Sequence, residues 1–437
     1  MGKASPPLSL QPELWRLVRH ALLAFLFVMT TSIAIYSCYP VLWLCSSIIK
    51  LLKSNKPARK VDSYRDISLL DPCAKALHGS ANDHFRRGLS DVLLGSQYGF
   101  CDGRAASHAV THVSELSYRL RRAKIKHALF FGDIHKAFSR VPHHLLFSAV
   151  HKMLTNKGIQ WLIELRHQEY WYIVRRGSSS RAIRVKRGIV EGDKLGPLLF
   201  VLFFHEYLVM CEDTTPTEIL VFLTPVPGDA DKYCNGALPD LCFAGDVTFA
   251  DDEALVIPFS TLQEVSVRIA HVCALLASFG FTLSLPKCGL LFALAGDGSR
   301  EVQNSLGKHL DVPGWGKVDI HYDFKHLGTF HSATGSTRSE AVHRLGLAQK
   351  AMGSISRKVI RCRYLSTVLR CRLYAALVMP ILLYNLVPMP YPEVYMRKFE
   401  TFHIRNLRYI LASPGHISML EIATLESAHK LTPFPQC

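Results

Sequence analysis

Residues 247–258 read VTFADDEALVIP and place two aspartates, Asp251 and Asp252, side by side in an otherwise apolar run. The apolar segments on either side of the pair are typical of two strands that meet at the aspartates. Burying unpaired carboxylates costs free energy, so their charge must be offset. Water offsets the charge in a solvated turn, and a bound cation offsets it directly. The stretch therefore predicts an acidic hairpin turn, with both explanations open.

A third acid ends another apolar run. The segment HALFFGDI, residues 127–134, reads as a buried strand that carries Asp133 near its end. If this strand lies beside the hairpin, three carboxylates converge at one sheet edge and repel one another unless divalent cations lie between them. Two metal ions about 3.5–4 Å apart assist phosphoryl transfer in many enzymes. Mg²⁺ binds carboxylate oxygens together with substrate phosphates. Such a cluster would suit two Mg²⁺ ions, with Mn²⁺ as the alternative, but an isolated aspartate pair is more often a solvated turn, and both explanations stay open at this point.

Composition restricts the class of protein. The chain has 437 residues, 49% of them hydrophobic, which allows two or three domains with sizeable cores and excludes global disorder. Lysine and arginine total 51 against 35 acidic residues, giving a net charge of +16. Such an excess indicates an anionic partner, either nucleic acid or a membrane surface. The twelve cysteines form no CxxC pair, which excludes zinc-finger spacing and favours reduced thiols in the core.

The N-terminal segment, residues 1–60, is read separately. Residues 21–49 carry no charged side chain, and a membrane-spanning helix needs about 20 apolar residues. Hydropathy therefore predicts a membrane-spanning segment, with Pro40 able to kink it or divide it into a re-entrant hairpin. The basic residues that follow, from Lys50 onwards, would place the bulk of the chain in the cytosol. The alternative is that the stretch is no natural membrane segment.

Further along the chain, a region of strands and helices precedes a helical region. Helical spacing of apolar residues occurs over residues 142–154, 198–210 and 260–280. The C-terminal part is helical, basic and interleaved with aromatic residues. This order predicts an α+β fold, with one domain over residues 61–330 and a helical one over residues 331–437.

Seven segments, in order, resemble the motifs of reverse transcriptases of non-LTR (LINE-type) retrotransposons. They are YRDISLLDPCAKAL (64–77), SQYGFCDGRAASHAV (96–110), FGDIHKAFSRVPHHLL (131–146), VKRGIVEGDKLGPLLFVLFFHEYL (185–208), FADD (249–252), FGFTLSLPKCGLLF (279–292) and FKHLG (324–328). Each match alone is modest evidence, and the ordered set is strong. FADD and FKHLG look more like the retrotransposon lineage than like telomerases or intron maturases.

The resemblance implies a right-hand polymerase fold with fingers, palm and helical thumb. It also implies an RNA-directed DNA polymerase that adds deoxynucleoside triphosphates to a DNA primer on an RNA template, inside the cell. Asp133 and Asp251 would bind both metal ions and Asp252 would complete the acidic cluster. Phe138, five residues after Asp133, occupies the position whose ring would exclude a ribose 2′-hydroxyl; simple core packing is the alternative.

The same resemblance assigns basic and glycine positions. Arg65 would contact the incoming triphosphate, Lys287 would neutralise or protonate the leaving group, and Gly192 would let the backbone approach nucleotide and template. A further set would grip template–primer phosphates without reading sequence, or else form a plain solvated helix face. This set comprises Arg397, Lys398, Arg405 and Arg408.

The sequence also departs from the family pattern. Glu191 stands where the family usually has glutamine, and Gly196 where it usually has serine. Asp193 is expected to add negative charge near the triphosphate and oppose its binding. From these residues we expect neither the family's endonuclease domain within the first 60 positions nor its cysteine-rich knuckle after the thumb region. Two rival hypotheses follow: a catalytically degenerate nucleic-acid-binding remnant, and a membrane-anchored protein that uses the polymerase fold as a scaffold.

Overall fold

A four-stranded antiparallel sheet with the order β10-β3-β9-β8 forms the centre of the molecule. Its strands are β3 (His127–Asp133), β8 (Asp246–Phe249), β9 (Asp252–Pro258) and β10 (Gly289–Ala293). β3 is buried at every position except its last, Asp133. This burial on both faces explains the continuous apolar run, because helices cover the sheet on each side.

The computed structural model describes most of the chain. The described residues are 19–36, 38–53, 57–60, 63–86, 89, 92–176, 179–214, 221–222, 242–243, 246–362, 364–386 and 389–411.

Two sets of helices cover the central sheet. α5 (His143–Met153), α7 (Gly196–Thr214) and α8 (Leu262–Ser278) enclose the larger core on one face. α3 (Ala106–Arg122) packs on the other face against β8 and β9. α7 is apolar on nearly all sides because α5 and α8 flank it. The helices predicted over 142–154, 198–210 and 260–280 are confirmed.

A second sheet, with the order β2-β1-β4-β5, combines two strands that precede β3 in sequence with two that follow it, and includes a parallel β1–β4 pair. Its strands and accompanying helices are β1 (Cys45–Leu52), β2 (Tyr64–Leu69), α2 (Pro72–Arg86), α6 (Lys157–Gln168), β4 (Trp171–Arg176) and β5 (Ser179–Arg184). β1 precedes the domain boundary predicted at residue 60, yet it pairs with β2 beyond that boundary. The domain limits themselves stay a prediction.

The predicted membrane-spanning segment over residues 21–49 is wrong. α1 (Arg19–Tyr36) covers only the first part, and a 3₁₀ turn at Val41–Leu44 follows Pro40. The remainder is β1, whose backbone groups bond to β2 and β4 rather than within a helix. In the part of the chain that the structure describes, no helix combines the length and apolar character needed to cross a membrane.

The C-terminal part is helical, as predicted, and its helices share an apolar cluster. Its helices are α10 (Arg338–Ile355), which continues as a π-helical turn at Ser356–Ile360, then α11 (Thr367–Leu377), α12 (Met379–Leu383) and α13 (Glu393–Leu411). Short elements complete the described fold: α4 (Ala137–Arg140), β6 (Val221–Phe222), β7 (Cys242–Phe243), a 3₁₀ turn (Leu285–Lys287), α9 (Ser299–Ser305), β11 (His309–Val312), β12 (Gly316–Asp319), β13 (Asp323–His326) and β14 (Thr329–Ser332).

Two histidines are buried where the β13–β14 hairpin meets the central sheet. His326 and His331 pack against the ring of Phe131, with ring centroids 4.8 and 5.2 Å away. Burial lowers the pKa of His326 to about 3 and that of His331 to about 4. Both rings are therefore neutral in the folded protein at physiological pH.

These histidines make the free energy of unfolding depend on pH. Below about pH 6.5 the unfolded chain takes up protons that the folded rings refuse, so acidification destabilises the fold, by about 2 kcal/mol per histidine at pH 5. Between pH 6.5 and 4.5, His326→Phe should make the free energy of unfolding fall less steeply with acidification, by a slope equivalent to nearly one bound proton. Urea unfolding at several pH values measures this slope. His144→Phe, at an exposed position of α5, is the control. Parallel curves for the parent and His326→Phe would contradict the prediction.

Candidate active site

The three aspartates predicted as a cluster lie together at one edge of the central sheet. Asp133 ends β3 and stands directly opposite Asp252 at the start of β9. Asp251 precedes Asp252 in the tight turn between β8 and β9. All three residues are half-buried, so each keeps part of its surface open to solvent.

The charges of this cluster are only partly offset. Burial raises the pKa of Asp252 to about 6, and the neighbouring charges of Asp251 and Asp133 add to the increase. Burial also raises the pKa of Asp251, with a further contribution from Asp133. Lys287 supplies one countercharge, because its Nζ lies 2.9 Å from Oδ2 of Asp133. The surplus of negative charge favours a cation at this edge.

The donor set suits a divalent metal by its chemistry. Carboxylate oxygens are the ligands that Mg²⁺ and Mn²⁺ prefer, and these three carboxylates repel one another. Among the described residues, however, no three His, Cys, Asp or Glu side chains are arranged to hold a metal ion. The fit therefore rests on the type of donor and on the unmatched charge, and the metal-binding roles of the aspartates stay predictions.

A neighbouring segment fixes the turn that carries Asp251. The amide of Tyr98 donates to the carbonyl of Thr248 at 2.8 Å, and the amide of Thr248 donates to the carbonyl of Ser96 at 2.9 Å. A Cβ on Gly99 would lie 2.0 Å from the backbone nitrogen of Ala250, so no other residue fits there without moving the turn. The motif around residues 96–110 gives no signal of this role of its glycine, because the close approach involves backbone distant in sequence.

Phe138 lies on α4, just beyond the cluster. Its ring stacks on the buried ring of Phe200, with centroids 4.5 Å apart and an interplanar angle of 11°. The Phe138 side chain is only half-buried, so core packing accounts for one side of the ring and leaves part of it open. Its role in excluding a 2′-hydroxyl stays a prediction.

The glycine-containing loop before α7 approaches the cluster from the side of β2. Gly192 has φ +94°, and a Cβ there would lie 3.0 Å from the carbonyl oxygen of Ser68 in β2. Glycine is therefore required by both its conformation and the approach of β2. At Gly196 a Cβ would lie 3.1 Å from the carbonyl oxygen of Val190, so the serine expected from the family pattern would be crowded there.

Glu191 lies at the tip of this loop. Burial raises the pKa of its carboxyl, and the charges of Asp66 and Asp251 raise it further. Arg65, exposed on β2, opposes this effect. The loop, β2 and the aspartate turn therefore share one electrostatic environment, as expected if they face the same ligand.

Asp193 does not add charge to that environment, so the expectation that it opposes nucleotide binding is wrong. Its side chain is buried, with Oδ1 2.8 Å from Nδ1 of His78 and Oδ2 2.8 Å from the guanidinium of Arg166. Burial alone would raise the pKa of Asp193, but Arg166 and His78 hold it well below the usual range. The charge is thus neutralised inside the protein, between α2, α6 and the loop.

The four predicted phosphate-binding residues lie on α13. Their spacing places them on one side of the helix, opposite its buried side chains, which include Phe399, His403 and Leu407. Arg397 pairs with Glu393, and Nζ of Lys398 lies 5.2 Å from the ring centroid of Tyr395. Arg405 is exposed and Arg408 is half-buried. Their contact with nucleic acid stays a prediction.

Comparison with known proteins identifies the family. A sequence model described as reverse transcriptase (RNA-dependent DNA polymerase) matches residues 53–347, and the chain belongs to this family. The match extends from the end of β1 into α10, so it includes the aspartate cluster and the loop that carries Glu191.

Curated relatives are retrotransposon polymerases. The chain is 27% identical to a Pol polyprotein of the type-1 retrotransposable element R2 from Popillia japonica over 50% of its own length and 33% of that protein. It is 23% identical to the corresponding R1 polyprotein from Bradysia coprophila over 88% of its length and 35% of that protein. The chain therefore spans about a third of the length of these relatives.

Among solved structures, a telomerase from Candida albicans is similar over 88% of this chain and 57% of its own. The TM-score is 0.46 and the sequence identity 12%.

The buried Asp193 pairs predict a strong effect on stability. Asp193→Asn should lower the free energy of unfolding by about 3–5 kcal/mol, because it leaves the Arg166 guanidinium charged and unpaired in the interior. Asp66→Asn, which changes an exposed carboxylate on β2, is the matched control and should change it by less than about 0.5 kcal/mol. Urea unfolding measures both, and equal losses would disprove the role assigned to the pair.

Proposed function

We propose that this chain is an RNA-directed DNA polymerase that extends a DNA primer on an RNA template. The observation that carries the proposal is the convergence of Asp133, Asp251 and Asp252 at one sheet edge, faced by the loop that holds Glu191. Three carboxylates that repel one another, with the basic residue Arg65 of β2 nearby, suit the binding of a triphosphate that carries metal ions. Membership of the reverse transcriptase family supports the same reaction.

The position of each residue around the cluster suggests its role in the reaction. Divalent cations, when bound by the three aspartates, would activate the primer 3′-hydroxyl and stabilise the departing pyrophosphate. Lys287, which now pairs with Asp133, would turn to the leaving phosphates. Arg65, exposed on β2, would contact the triphosphate, and the open side of Phe138 would crowd a ribose 2′-hydroxyl.

Template and primer would lie along basic surfaces. The net charge of +16 favours a polyanion without specifying sequence, and the basic side of α13 would contact its phosphates. Since templates and deoxynucleotides are found within cells, we place the reaction in the cell interior.

A second candidate is a degenerate remnant that binds nucleic acid without catalysis. Glu191 favours it, since a carboxylate replaces the expected amide beside the cluster. Extension of a DNA primer on an RNA template by the full chain distinguishes the two. The full chain is needed because β1 lies within the first 60 residues. Tight primer–template binding without extension would support the remnant.

Asp251→Asn tests the cluster. It should reduce primer extension by about a hundredfold or more, because it removes charge that the reaction needs for metal binding. Template–primer affinity should change little, since phosphate contacts come from basic residues. The control is Asp297→Asn, at an exposed site near the opposite end of the sheet. Equal extension rates for Asp251→Asn and the parent would exclude the assignment.

Glu191→Gln tests the departure from the family pattern. The two side chains have nearly the same shape, but an amide can donate a hydrogen bond and an ionised carboxylate can only accept one. Removing the negative charge should lower the apparent KM for deoxynucleotides by up to about tenfold, with a larger effect at low salt. If the parent is inactive, the substitution should restore activity. Steady-state kinetics decide, with Glu301→Gln on exposed α9 as the control; an unchanged or higher KM would rule out the electrostatic interpretation.

A further inference from the structure

Phe100 adopts an unusual conformation beside the proposed site. Its φ is +59°, in the left-handed region that costs free energy for a residue with a Cβ. The residue is 42% exposed although its side chain is large and apolar. Strain and exposure together are unfavourable for folding alone, and such residues concentrate at functional sites.

Surrounding contacts hold Phe100 in place. Arg86 donates from its guanidinium to the Phe100 carbonyl oxygen at 2.9 Å and pairs with Asp102 at 2.8 Å. The preceding residue, Gly99, lies against the backbone of Ala250, next to Asp251. The position of Phe100 is therefore tied through one residue to the aspartate turn.

The ring of Phe100 contacts Phe138. Their centroids are 6.2 Å apart and their planes are at 89°, an edge-to-face geometry that is favourable for aromatic pairs. Phe138 is thus held by two rings, with Phe200 stacked on it from the core and Phe100 from the solvent side. Without Phe100, only the Phe200 side would restrain the ring.

We propose that Phe100 is a specificity-determining residue that positions the Phe138 ring against the sugar of the incoming nucleotide. Phe100 links the Phe138 ring to the aspartate turn. The distance between the reacting phosphate and the Phe138 ring, which lies against the 2′ carbon of the sugar, therefore stays fixed. The inference rests on the proposed function. Phe100 acts through Phe138 and does not itself contact the reacting atoms.

The test is the ratio of kcat/KM for a deoxynucleotide to kcat/KM for the matching ribonucleotide, with the full chain and one primer–template. Phe100→Ala should lower this ratio by roughly three- to tenfold, the equivalent of one edge-to-face contact. Phe100→Gly should do the same although it relieves the backbone strain, and Phe100→Tyr should leave the ratio unchanged. Both nucleotides are measured on the same protein, so partial unfolding cancels in the ratio.

A double variant shows whether Phe100 acts through Phe138. In a Phe138→Ala background, Phe100→Ala should cause no further loss of discrimination. An unchanged ratio for Phe100→Ala, an equal loss with both nucleotides, or a persistent effect in the Phe138→Ala background would each overturn the inference.

Binding measurements separate this inference from the proposed function. A chain-terminated primer allows dissociation constants of deoxy- and ribonucleotides to be compared without catalysis. If the parent prefers deoxynucleotides in binding but extends no primer, the proposed function fails and the ratio of dissociation constants decides the role of Phe100. If the parent shows no preference in either assay, the inference is overturned.

Discussion

The antiparallel register of β3 with β9 is the constraint on which the site depends. It sets Asp133 opposite Asp252, and successive strand residues point to opposite faces. A shift of one residue would bring Glu253 to the place of Asp252. Glu253 instead accepts a hydrogen bond from the hydroxyl of Tyr207 on α7 at 2.8 Å, and burial raises its pKa to about 8. Because β3 is buried on both faces, such a shift would also misplace its apolar side chains.

The site also imposes a free-energy cost that the rest of the fold must offset. Raised pKa values at Asp251 and Asp252 mean that their ionisation at neutral pH opposes folding. Packing on both faces of the central sheet supplies the compensation, through the core around α7 and the core around α3. At Asp193, by contrast, contacts with Arg166 and His78 neutralise a buried charge. At the sheet edge, Lys287 is the countercharge that pairs with Asp133, and Asp251 and Asp252 add two further carboxylates beside it.

The central sheet and the aspartate cluster were predictable because the signals are local. The strand before Asp133 and the hairpin at Asp251 each carry their own apolar pattern, and the ordered motifs supplied the pairing. The N-terminus was not predictable in this way, since hydropathy measures the apolar content of residues 21–49 and not the partner strands of β1. The Asp193 side chain points into the interior because its partners there are Arg166 and His78, which are distant from it in sequence. Gly99 matters because it lies against the backbone of Ala250, and Phe100 because of its positive φ. A pattern of residue types indicates neither feature.

The position of β1 has a consequence for how the chain can be divided. β1 lies between β2 and β4, so it supplies hydrogen bonds to both neighbours. A chain that began after it would leave two strands with rows of unpaired amides and carbonyls. Exposed strand edges of this kind associate with edges on other molecules. By pairing its backbone with both neighbours, β1 thus keeps the inner edges of β2 and β4 from associating with strands of other molecules.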